Sequence, residues 1–550
     1  MKESLKKNDL VTLSITDLGS SGEGIGKVDG FTLFVKDALI GDTVQAKIIK
    51  MKKSYGYGRL MEILKPSPYR TEARCPQARA CGGCQIQPLA YENQLIYKEN
   101  KVRELLERVG KISEYRMEPI IGMEEPWYYR NKAQFPVGQN KEGDIVAGFY
   151  AGRTHSIVPV DECFIQHPMN RQLMNIVKKW MKDYKVPPYN EVNHTGLVRH
   201  IFTRIGKYTG EIMVCLVING KRIPAADEFV NALKNVPGMA SICLNINQEK
   251  SNVILGNTVK CLWGKPYITD KIGDVAYQIS PLSFFQVNPV QTQKLYRTAL
   301  EYAGLTGEET VWDLYCGIGT ISLFLAQCAK KVYGVEVVPQ AIEDARKNAL
   351  LNHIKNAEFF VGKAEEVLPE QYEKYGVYAD VIVVDPPRKG CDEKLLRCMV
   401  QMAPKRIVYV SCDPATLARD LHFLEENGYK VEKVRCVDMF SHSVHVETVC
   451  LLSKLSAKQH IEIDLSMDEL DLTDAEKKAT YQEIKDYVLK QSGLKVSSLY
   501  IAQVKQKCGI IERENYNKPK SVDAKQPQCS SEKEKAIKEA LKYFGMIRSS

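Results

Sequence analysis

The sequence predicts a multidomain protein whose largest domain is a doubly wound, Rossmann-like α/β sheet. The 550 residues are too many for one ordinary core. Strand and helix patterns alternate regularly from about residue 310, and a Gly-x-Gly turn follows the first strand of that series. Such alternation is typical of a parallel sheet with helices on both faces. We assign residues 271–455 to this domain.

The strands expected in this domain are short and apolar. They are predicted near residues 310–314, 331–337, 358–361, 381–385, 407–411, 431–437 and 446–452. Helical patterns fill most intervals, for example at 339–351, where a proline occupies the first turn. We expect the last two strands to pair as an antiparallel hairpin.

Residues 1–64 predict a small, OB-like β-barrel, because several short strand patterns are separated by glycines. Cations and aromatic residues cluster near its end, with no acidic residue among them: Lys47, Lys50, Lys52, Lys53, Tyr55, Tyr57 and Arg59. Cations interleaved with aromatic rings suit phosphate contact and base stacking. We therefore predict that the barrel binds RNA; ordinary solvated lysines on a hairpin are the alternative.

Two further regions complete the predicted organisation. Residues 65–270 contain a cysteine cluster and then an α+β, RNA-binding central domain, and a helix at 90–109 is a candidate to pack on the α/β domain. Residues 456–550 are predicted to form a helical extension with helices at 474–491 and 497–507. A helix-turn-helix-like unit and a generic helical appendage are equally compatible with that pattern.

Composition limits the classes to which the chain can belong. The net charge of +9 permits a polyanionic partner without requiring one. Neither a signal peptide nor a run of about 18 apolar residues is evident, so we expect a cytoplasmic protein without membrane spans. Sixteen cysteines in such a protein argue against a disulfide framework. The oligomeric state stays open, with a monomer expected.

The turn Asp313-x-x-x-Gly317-x-Gly319 lies between a predicted strand and a helix, where backbone N–H groups can approach a ligand. The third glycine of a dinucleotide fingerprint would fall at Ser322, so NAD is disfavoured. Glu336 ends the next strand, where a carboxylate can accept both hydroxyls of an adenosine ribose. With Asp385-Pro-Pro-Arg388 at a later strand tip, the set favours S-adenosylmethionine.

A thiol and a carboxylate supply the chemistry that this cofactor would need. Cys412 stands where an apolar strand ends and a helix begins, a position in which the helix N-terminus can favour the thiolate. Thiolate addition at C6 of a uracil ring makes C5 nucleophilic, and after methyl transfer a base must remove the C5 proton. Glu447 is the candidate base.

A second group of cysteines has the spacing of a metal centre: Cys75-x5-Cys81-Gly-Gly-Cys84, with Cys163 farther along the chain. Glycines between Cys81 and Cys84 would let the loop curl around a metal. The spacing alone allows zinc or an iron–sulfur cluster. With four cysteine ligands no iron would be open to substrate, so we expect a structural or RNA-organising role.

Five segments together resemble the bacterial RNA (uracil-5-)-methyltransferases. They are Phe284-Phe-Gln286-Val-Asn-Pro289, Asp313-Leu-Tyr-Cys-Gly-Ile-Gly-Thr, Asp385-Pro-Pro-Arg-Lys-Gly, Ser411-Cys-Asp-Pro-Ala-Thr-Leu-Ala-Arg-Asp and Asp438-Met-Phe-Ser-His-x4-Glu-Thr. The resemblance covers residues 8 to 455 approximately. It implies a TRAM domain at residues 8–64, a nucleophile at Cys412 and a base at Glu447. It also implies S-adenosylmethionine contacts at Gln286, Tyr315, Glu336 and Asp385.

The ribosomal-RNA branch of this family carries a [4Fe–4S] cluster on a similar cysteine set, so the resemblance implies such a cluster on Cys75, Cys81, Cys84 and Cys163. It also implies 23S ribosomal RNA as the substrate, because bacterial transfer-RNA relatives usually lack both barrel and cluster. Three alternatives remain. They are transfer-RNA uridine methylation, cytosine-C5 methylation, and a non-catalytic RNA-binding or ribosome-assembly role. Cytosine methylation is disfavoured because that family has a second cysteine beside its Asp-Pro strand tip, whereas here Pro-Pro-Arg follows Asp385 and Cys391 is six positions on.

Overall fold

The structure is a computed structural model that describes residues 5–152, 154–455, 481–494, 496–508, 529, 531–544 and 546–547. The chain divides into two compact units, residues 1–455 and residues 456–550. Residues 474–480 of the helix predicted at 474–491 lie outside the described residues. In the described part of the chain, no helix is both long enough and apolar enough to span a bilayer.

The N-terminal strands close into a five-stranded barrel with the order β1-β2-β3-β5-β4. The strands are β1 (Leu10–Leu18), β2 (Gly24–Val28), β3 (Phe31–Lys36), β4 (Thr43–Met51) and β5 (Tyr55–Lys65). Only β3 and β5 pair in parallel; the other neighbours are antiparallel. Alternate residues of β1, namely Val11, Leu13 and Ile15, are buried in the barrel core. The predicted barrel is confirmed.

A cysteine-containing segment follows the barrel and leads to helix α1 (Tyr91–Arg108) and strand β6 (Arg116–Ile121). The helix agrees with the prediction at 90–109 to within one residue at each end. Its residues Val102 and Leu106 are fully buried, so one face of α1 packs against another part of the same unit.

The central region contains a seven-stranded sheet with the order β13-β12-β11-β10-β7-β8-β9. Its elements are β7 (Lys132–Gln139), β8 (Ile145–Tyr150), β9 (Ile157–Pro159), α2 (Met169–Asp183), β10 (Val198–Ile205), β11 (Ile212–Ile218), α3 (Ala226–Lys234), β12 (Met239–Ile246) and β13 (Thr258–Gly264). Every residue of β10 and β11 is buried. The rings of Trp180 and Phe229 lie 4.8 Å apart where α2 meets α3.

The α/β region begins with the hairpin β14 (Ile268–Ile272) and β15 (Val275–Ile279), followed by helix α4 (Pro289–Ala303). Strands and helices then alternate: β16 (Thr310–Leu314), α5 (Thr320–Ala326), β17 (Lys331–Glu336), α6 (Pro339–Leu351), β18 (Ala357–Val361), α7 (Ala364–Tyr375), β19 (Val381–Val384), α8 (Glu393–Met402), β20 (Arg406–Ser411), α9 (Pro414–Glu426), β21 (Tyr429–Val437) and β22 (Glu447–Lys454). All seven expected strands are present, and β21 and β22 form the predicted antiparallel hairpin.

The α/β sheet has eight strands, in the order β18-β17-β16-β19-β20-β22-β21-β6. Its edge strand β6 lies within residues 65–270 and pairs in parallel with β21. Helix α1 also joins this region, since Val102 and Leu106 share one apolar core with Leu417 and Leu421 of α9. The domain boundaries predicted at residues 64, 270 and 455 stay predictions. The α/β sheet, however, includes strand β6, which lies before residue 270.

The second unit contains helices α10 (Tyr481–Ser492), α11 (Ser498–Lys507) and α12 (Ser531–Tyr543). Their shared apolar core includes Ile484, Val488, Ile501, Val504 and Ile537. The first two helices were expected from the sequence, whereas α12 was not. A helix-turn-helix-like role for this unit stays a prediction.

Candidate active site

The turn between β16 and α5 brings backbone N–H groups to the carboxyl ends of the parallel strands of the α/β sheet. Tyr315, Gly317 and Gly319 all have positive φ angles, of 71°, 54° and 81°. A Cβ added to Gly317 would meet no atom within 4 Å, whereas one added to Gly319 would lie 3.2 Å from Ala345 and Phe359. Gly317 therefore leaves open space for a ligand, and Gly319 permits close packing of the turn against α6 and β18.

Glu336 ends β17 beside this turn. Its carboxylate accepts hydrogen bonds from the Gly317 backbone N–H at 3.3 Å and from the Val338 backbone N–H at 3.0 Å. These bonds hold a negative charge at the carboxyl end of a parallel strand, where open α/β sheets bind their ligands. The position fits the predicted contact with the ribose hydroxyls of S-adenosylmethionine.

One cavity of about 1130 Å³ is lined by all ten predicted site residues: Gln286, Tyr315, Glu336, Asp385, Cys412, Glu447, Cys75, Cys81, Cys84 and Cys163. The cofactor turn, the proposed nucleophile, the proposed base and the cysteine cluster thus share one space. The roles of these residues stay predictions, but their convergence is a property of the fold.

Cys412 lies between the end of β20 and the start of α9. Asp413 caps that helix by accepting from the backbone N–H groups of Ala415 and Thr416 at 3.0 and 3.3 Å. Burial, with added repulsion from Glu447 and Asp385, raises the pKa of the Cys412 thiol to about 11. Burial and the two carboxylates thus outweigh any stabilisation of the thiolate that the helix N-terminus provides.

The carboxylates beside this thiol are also perturbed. Burial, together with the charge of Asp385, raises the pKa of Glu447 to about 8, and Arg388 acts in the opposite direction. Burial alone raises the pKa of Asp385 to about 7. Two such groups next to a thiol can exchange protons near neutral pH, which is what an acid–base centre requires.

The loop from Asp438 to Glu447 is held by helix α1. Lys98 Nζ lies 2.6 Å from Asp438 Oδ1, and both side chains are fully buried. The hydroxyl of Tyr91 donates to the other oxygen of Asp438 at 2.8 Å. These contacts fix the start of the loop that leads into β22, whose first residue is Glu447.

The two histidines of this loop have different surroundings. His442 stacks on Trp127, with ring centroids 3.8 Å apart, and is not among the residues that line the cavity. His445 does line the cavity. Burial lowers the pKa of both imidazoles to about 4, so both are neutral at pH 7. Packing accounts for His442, and only His445 can meet a substrate.

The cysteine loop is anchored to the central sheet. The Gly82 N–H donates to the Tyr150 carbonyl at 3.2 Å, and a Cβ on Gly82 would lie 3.3 Å from Gly152. The Cys75 N–H donates to Gln87 Oε1 at 2.7 Å. These contacts bring the three loop thiols to the cavity wall that also presents Cys163.

The donor set can be compared with the two metal centres that the spacing allows. Among the described residues, no three His, Cys, Asp or Glu side chains form a group that could hold a single metal ion. Zinc is bound by thiolates at about 2.3 Å from one centre, whereas a [4Fe–4S] cluster takes each of its four thiolates on a separate iron. The four cysteines are half-buried and line one cavity, which supplies a donor set that either centre can use.

Sequence reasoning missed two residues that face the reacting groups. Arg388 is the cation that lowers the pKa values of both Cys412 and Glu447. Phe284 lines the cavity although 64% of its surface is exposed, a position from which it can stack on a base. Phe284 opens the motif at residues 284–289, and Arg388 stands in the motif at residues 385–390. Their presence in these two motifs was the sequence signal that could have identified them.

Comparison with known proteins decides the family. A family model described as tRNA (Uracil-5-)-methyltransferase matches residues 90–455, and a TRAM domain model matches residues 6–61. The chain belongs to the tRNA (uracil-5-)-methyltransferase family. It is an S-adenosylmethionine-dependent RNA (uracil-5-)-methyltransferase with an N-terminal, RNA-binding TRAM domain. The word tRNA belongs to the description of the family model and does not identify the RNA that this member of the family modifies.

Two bacterial relatives match this methyltransferase along almost the whole of their own length. An uncharacterized RNA methyltransferase of Halalkalibacterium halodurans is 52% identical over 449 residues, which is 82% of this chain and 98% of that protein. One of Clostridium tetani is 50% identical over 456 residues, or 83% and 98% of the two chains. Each match leaves a little less than a fifth of this chain uncovered.

A solved structure supports the cofactor and the fold. The Pyrococcus abyssi tRNA (uracil-54, C5)-methyltransferase, in complex with S-adenosyl-L-homocysteine, matches with a TM-score of 0.66 and 28% identity. The match covers 80% of this chain and 100% of the archaeal one. The ligand of that structure is the demethylated product of S-adenosylmethionine, the cofactor that we assign to this methyltransferase.

Proposed function

We propose that this enzyme methylates C5 of a uridine in 23S ribosomal RNA through a covalent bond between Cys412 and C6 of the base. The observation that carries the chemistry is that Cys412, Glu447 and Glu336 line one cavity. A nucleophile, a base and a carboxylate suited to the cofactor ribose are the groups that we propose these three residues to be. A role confined to RNA binding would require none of them.

The first step needs a thiolate at Cys412. The thiol loses its proton to water in the cavity, and Sγ then bonds to C6 of the ring, which makes C5 electron-rich. Because the thiol has a pKa of about 11, positive charge nearby must favour this ionisation. Arg388 supplies one such charge, and a bound sulfonium would add another.

The second step uses Glu447. S-adenosylmethionine supplies the methyl group, as an electrophilic sulfonium substituent, to C5. The Glu447 carboxylate then takes the C5 proton, the Sγ–C6 bond breaks, and the C5–C6 double bond re-forms. The released thiolate regains a proton, so the net change is replacement of the C5 hydrogen by methyl with release of one proton. Gln286, Tyr315, Glu336 and Asp385 are proposed to bind the cofactor.

We propose that Cys75, Cys81, Cys84 and Cys163 hold a [4Fe–4S] cluster. Four cysteine thiolates would saturate such a cluster, so it would leave no iron open to a substrate. Its proposed contribution is to tie the loop at residues 75–84 to the segment around Cys163 in the wall of the active-site cavity. No step of methyl transfer passes through it.

Two RNA classes have separate support as substrates. The combination of a TRAM domain with a cysteine set that fits a cluster supports ribosomal RNA, through the family resemblance described above. The similarity to the Pyrococcus abyssi protein, which acts on uridine 54 of tRNA, supports transfer RNA as the second candidate. We favour 23S ribosomal RNA because the cysteine set is the more specialised of these features.

The substrate can be tested by mapping 5-methyluridine in ribosomal and transfer RNA from a strain that lacks the gene. We expect loss of one or more sites in 23S ribosomal RNA, with restoration by the wild-type gene and not by a Cys412→Ala variant. Loss confined to transfer RNA would replace the ribosomal assignment and leave the chemistry intact.

The covalent step can be tested separately with purified protein. A Glu447→Gln variant should accumulate an RNA–protein adduct resistant to denaturant, because the C5 proton is no longer removed. A Cys412→Ala variant should form no adduct and transfer no methyl group, while RNA binding is retained. Wild-type turnover by Glu447→Gln, without adduct, would contradict its assignment as the base.

A further inference from the structure

A second, smaller cavity lies beside the active-site cavity. It measures about 240 Å³ and shares Arg130, Phe149 and Gln166 as lining residues with the larger cavity. Strands β7 and β10 contribute Lys132 and His200 to its wall. The shared residues make this cavity the immediate neighbour of the space in which the target uridine must be held.

His200 is the most unusual residue of this smaller cavity. It is 4% exposed, and neither ring nitrogen has a hydrogen-bond partner among the described residues. Burial and the charge of Arg199 lower its pKa to about 4, so the ring is neutral and offers one donor and one acceptor. An unpaired buried polar group costs folding free energy, which a ligand with matching polar groups would recover.

Gln166 adds a second unpaired group to the same wall. Its side chain is 4% exposed, and Oε1 has no partner among the described residues. An amide can present a donor and an acceptor side by side, as the edge of a nucleobase does. Phe149, Tyr150 and Pro136 supply apolar surface around these groups, suited to the faces of a base.

Positive charge is concentrated where the two cavities meet. Burial, reinforced by Arg204 and Arg130, lowers the pKa of Lys132 to about 8. Within the described ranges, none of these three cations forms an ion pair with a carboxylate. Arg204 is 2% exposed, and its Nε and Nη1 atoms have no hydrogen-bond partner in the part of the chain that the structure describes. Such a cluster favours an anion, and the phosphodiester of an RNA strand is an anion that the substrate carries.

A carboxylate close to this region is already engaged. Glu191 accepts from the Tyr150 hydroxyl at 2.9 Å and lies 2.5 Å from Nδ1 of His155. Because Glu191 is engaged by Tyr150 and His155, it forms no ion pair with these cations among the described residues. The net charge where the two cavities meet therefore stays positive.

We propose that the smaller cavity binds one unstacked nucleotide of the substrate RNA next to the target uridine. Arg130 and Lys132 contact its phosphate, and His200 and Gln166 contact the edge of its base. This proposal rests on RNA being the substrate and is independent of whether that RNA is ribosomal or transfer RNA. A second bound nucleotide would hold the strand in the opened form that base flipping requires.

The phosphate contact is tested by RNA binding at several salt concentrations. The probes are full-length 23S ribosomal RNA and a transfer RNA pool, both transcribed without modifications. Lys132→Gln should weaken binding to the substrate RNA about five- to tenfold and reduce the slope of log affinity against log salt by roughly 0.7 to 0.9. Lys234→Gln, an exposed lysine in the last turn of α3, is the matched control and should match wild type.

The base contact is tested by cross-linking the same RNAs after substitution with 4-thiouridine. Peptides that contain His200 or Tyr150 should carry nucleotide adducts in the wild-type protein. His200→Phe, which fills the cavity, should remove these adducts, whereas His200→Gln should keep part of the signal. Thermal unfolding of each variant identifies any loss caused by misfolding, and Lys132→Gln gives an independent readout.

The results separate this proposal from the proposed function. Adducts near Cys412 without any at His200 or Tyr150, together with wild-type binding by Lys132→Gln, would overturn the nucleotide cavity and leave the methyl-transfer chemistry standing. Adducts in the cavity from a protein that transfers no methyl group would support the cavity and contradict the chemistry.

Discussion

Lys98 Nζ and Asp438 Oδ1 lie 2.6 Å apart with neither side chain exposed. The two residues are 340 positions apart in the chain, and their contact joins helix α1 to the loop that ends at Glu447. Lys98 Nζ also donates to the Phe440 carbonyl at 2.9 Å. The proposed base is thus positioned partly by a helix that precedes the central sheet.

Removing the charge of Lys98 should destabilise the fold. Lys98→Met leaves the Asp438 carboxylate buried without its cation, and breaking a buried pair in this way typically costs about 3–5 kcal/mol. Urea denaturation should show that loss, and the Lys98→Met/Asp438→Leu double variant should recover much of it. Arg103→Met is the control, because its ion pair with Glu99 is partly exposed and should cost less than about 1 kcal/mol. Equal losses for the two single variants would contradict the special role of the buried pair.

Cofactor affinity should increase with pH. The pKa values of Asp385 and Glu447 are raised to about 7 and about 8, so both groups are largely neutral at pH 6 and ionised at pH 9. Ionised carboxylates attract the sulfonium of S-adenosylmethionine, and a pKa lowered by one unit on binding corresponds to about a tenfold change in affinity. Calorimetry from pH 6 to 9 should show this increase.

S-adenosylhomocysteine is the matched ligand for that measurement. Its thioether carries no charge, so its affinity should respond much less to pH over the same range. Glu447→Gln should flatten the upper part of the S-adenosylmethionine curve. Parallel curves for the two ligands would show that the sulfonium does not lie near these carboxylates.

Two glycines of the cofactor turn should respond differently to alanine. Gly319→Ala places a Cβ 3.2 Å from Ala345 and Phe359 at a φ of 81°, so we expect a loss of about 1–3 kcal/mol in unfolding free energy. The Cβ of Gly317→Ala would have no atom of the described residues within 4 Å, so this change should cost less stability. Its methyl group would project where the cofactor is proposed to bind, so the KM for S-adenosylmethionine should rise instead. Similar unfolding curves for both variants would contradict this distinction.

The cysteine set should bind iron and sulfide. Protein purified without oxygen should contain about four irons and four sulfides per chain, and Cys81→Ser should lose most of both. Cys328→Ser changes an exposed cysteine outside the set and should keep them. Stoichiometric zinc in place of iron would refute the cluster.

The strands of the α/β sheet could be predicted because each is a short apolar run bounded by polar residues. The prediction at 310–314 coincides with β16, and the Pro339 start of α6 was evident from proline at the first turn. Glu336 and Cys412 could be selected as candidate site residues because each stands at the end of a predicted strand. Apolar runs, a proline in the first turn of a helix and strand ends are local features, so a single sequence is enough to detect them.

Other features depend on contacts between distant segments. The place of β6 at the sheet edge depends on pairing with β21, and Arg435 Nε donates to the Pro119 carbonyl across 316 positions. No local pattern encodes that pairing. The high pKa of the Cys412 thiol was missed for a similar reason, because it reflects burial together with Glu447 and Asp385, which come from other strands.

The edge position of β6 determines how the molecule can be cut. A fragment starting at residue 271 would lack both β6 and α1, so the unpaired backbone groups of β21 would face water and Asp438 would lose its partner. Open strand edges of this kind promote aggregation. The smallest piece that retains both β6 and α1 therefore begins before Tyr91, and the central region is best regarded as an insertion into the catalytic one.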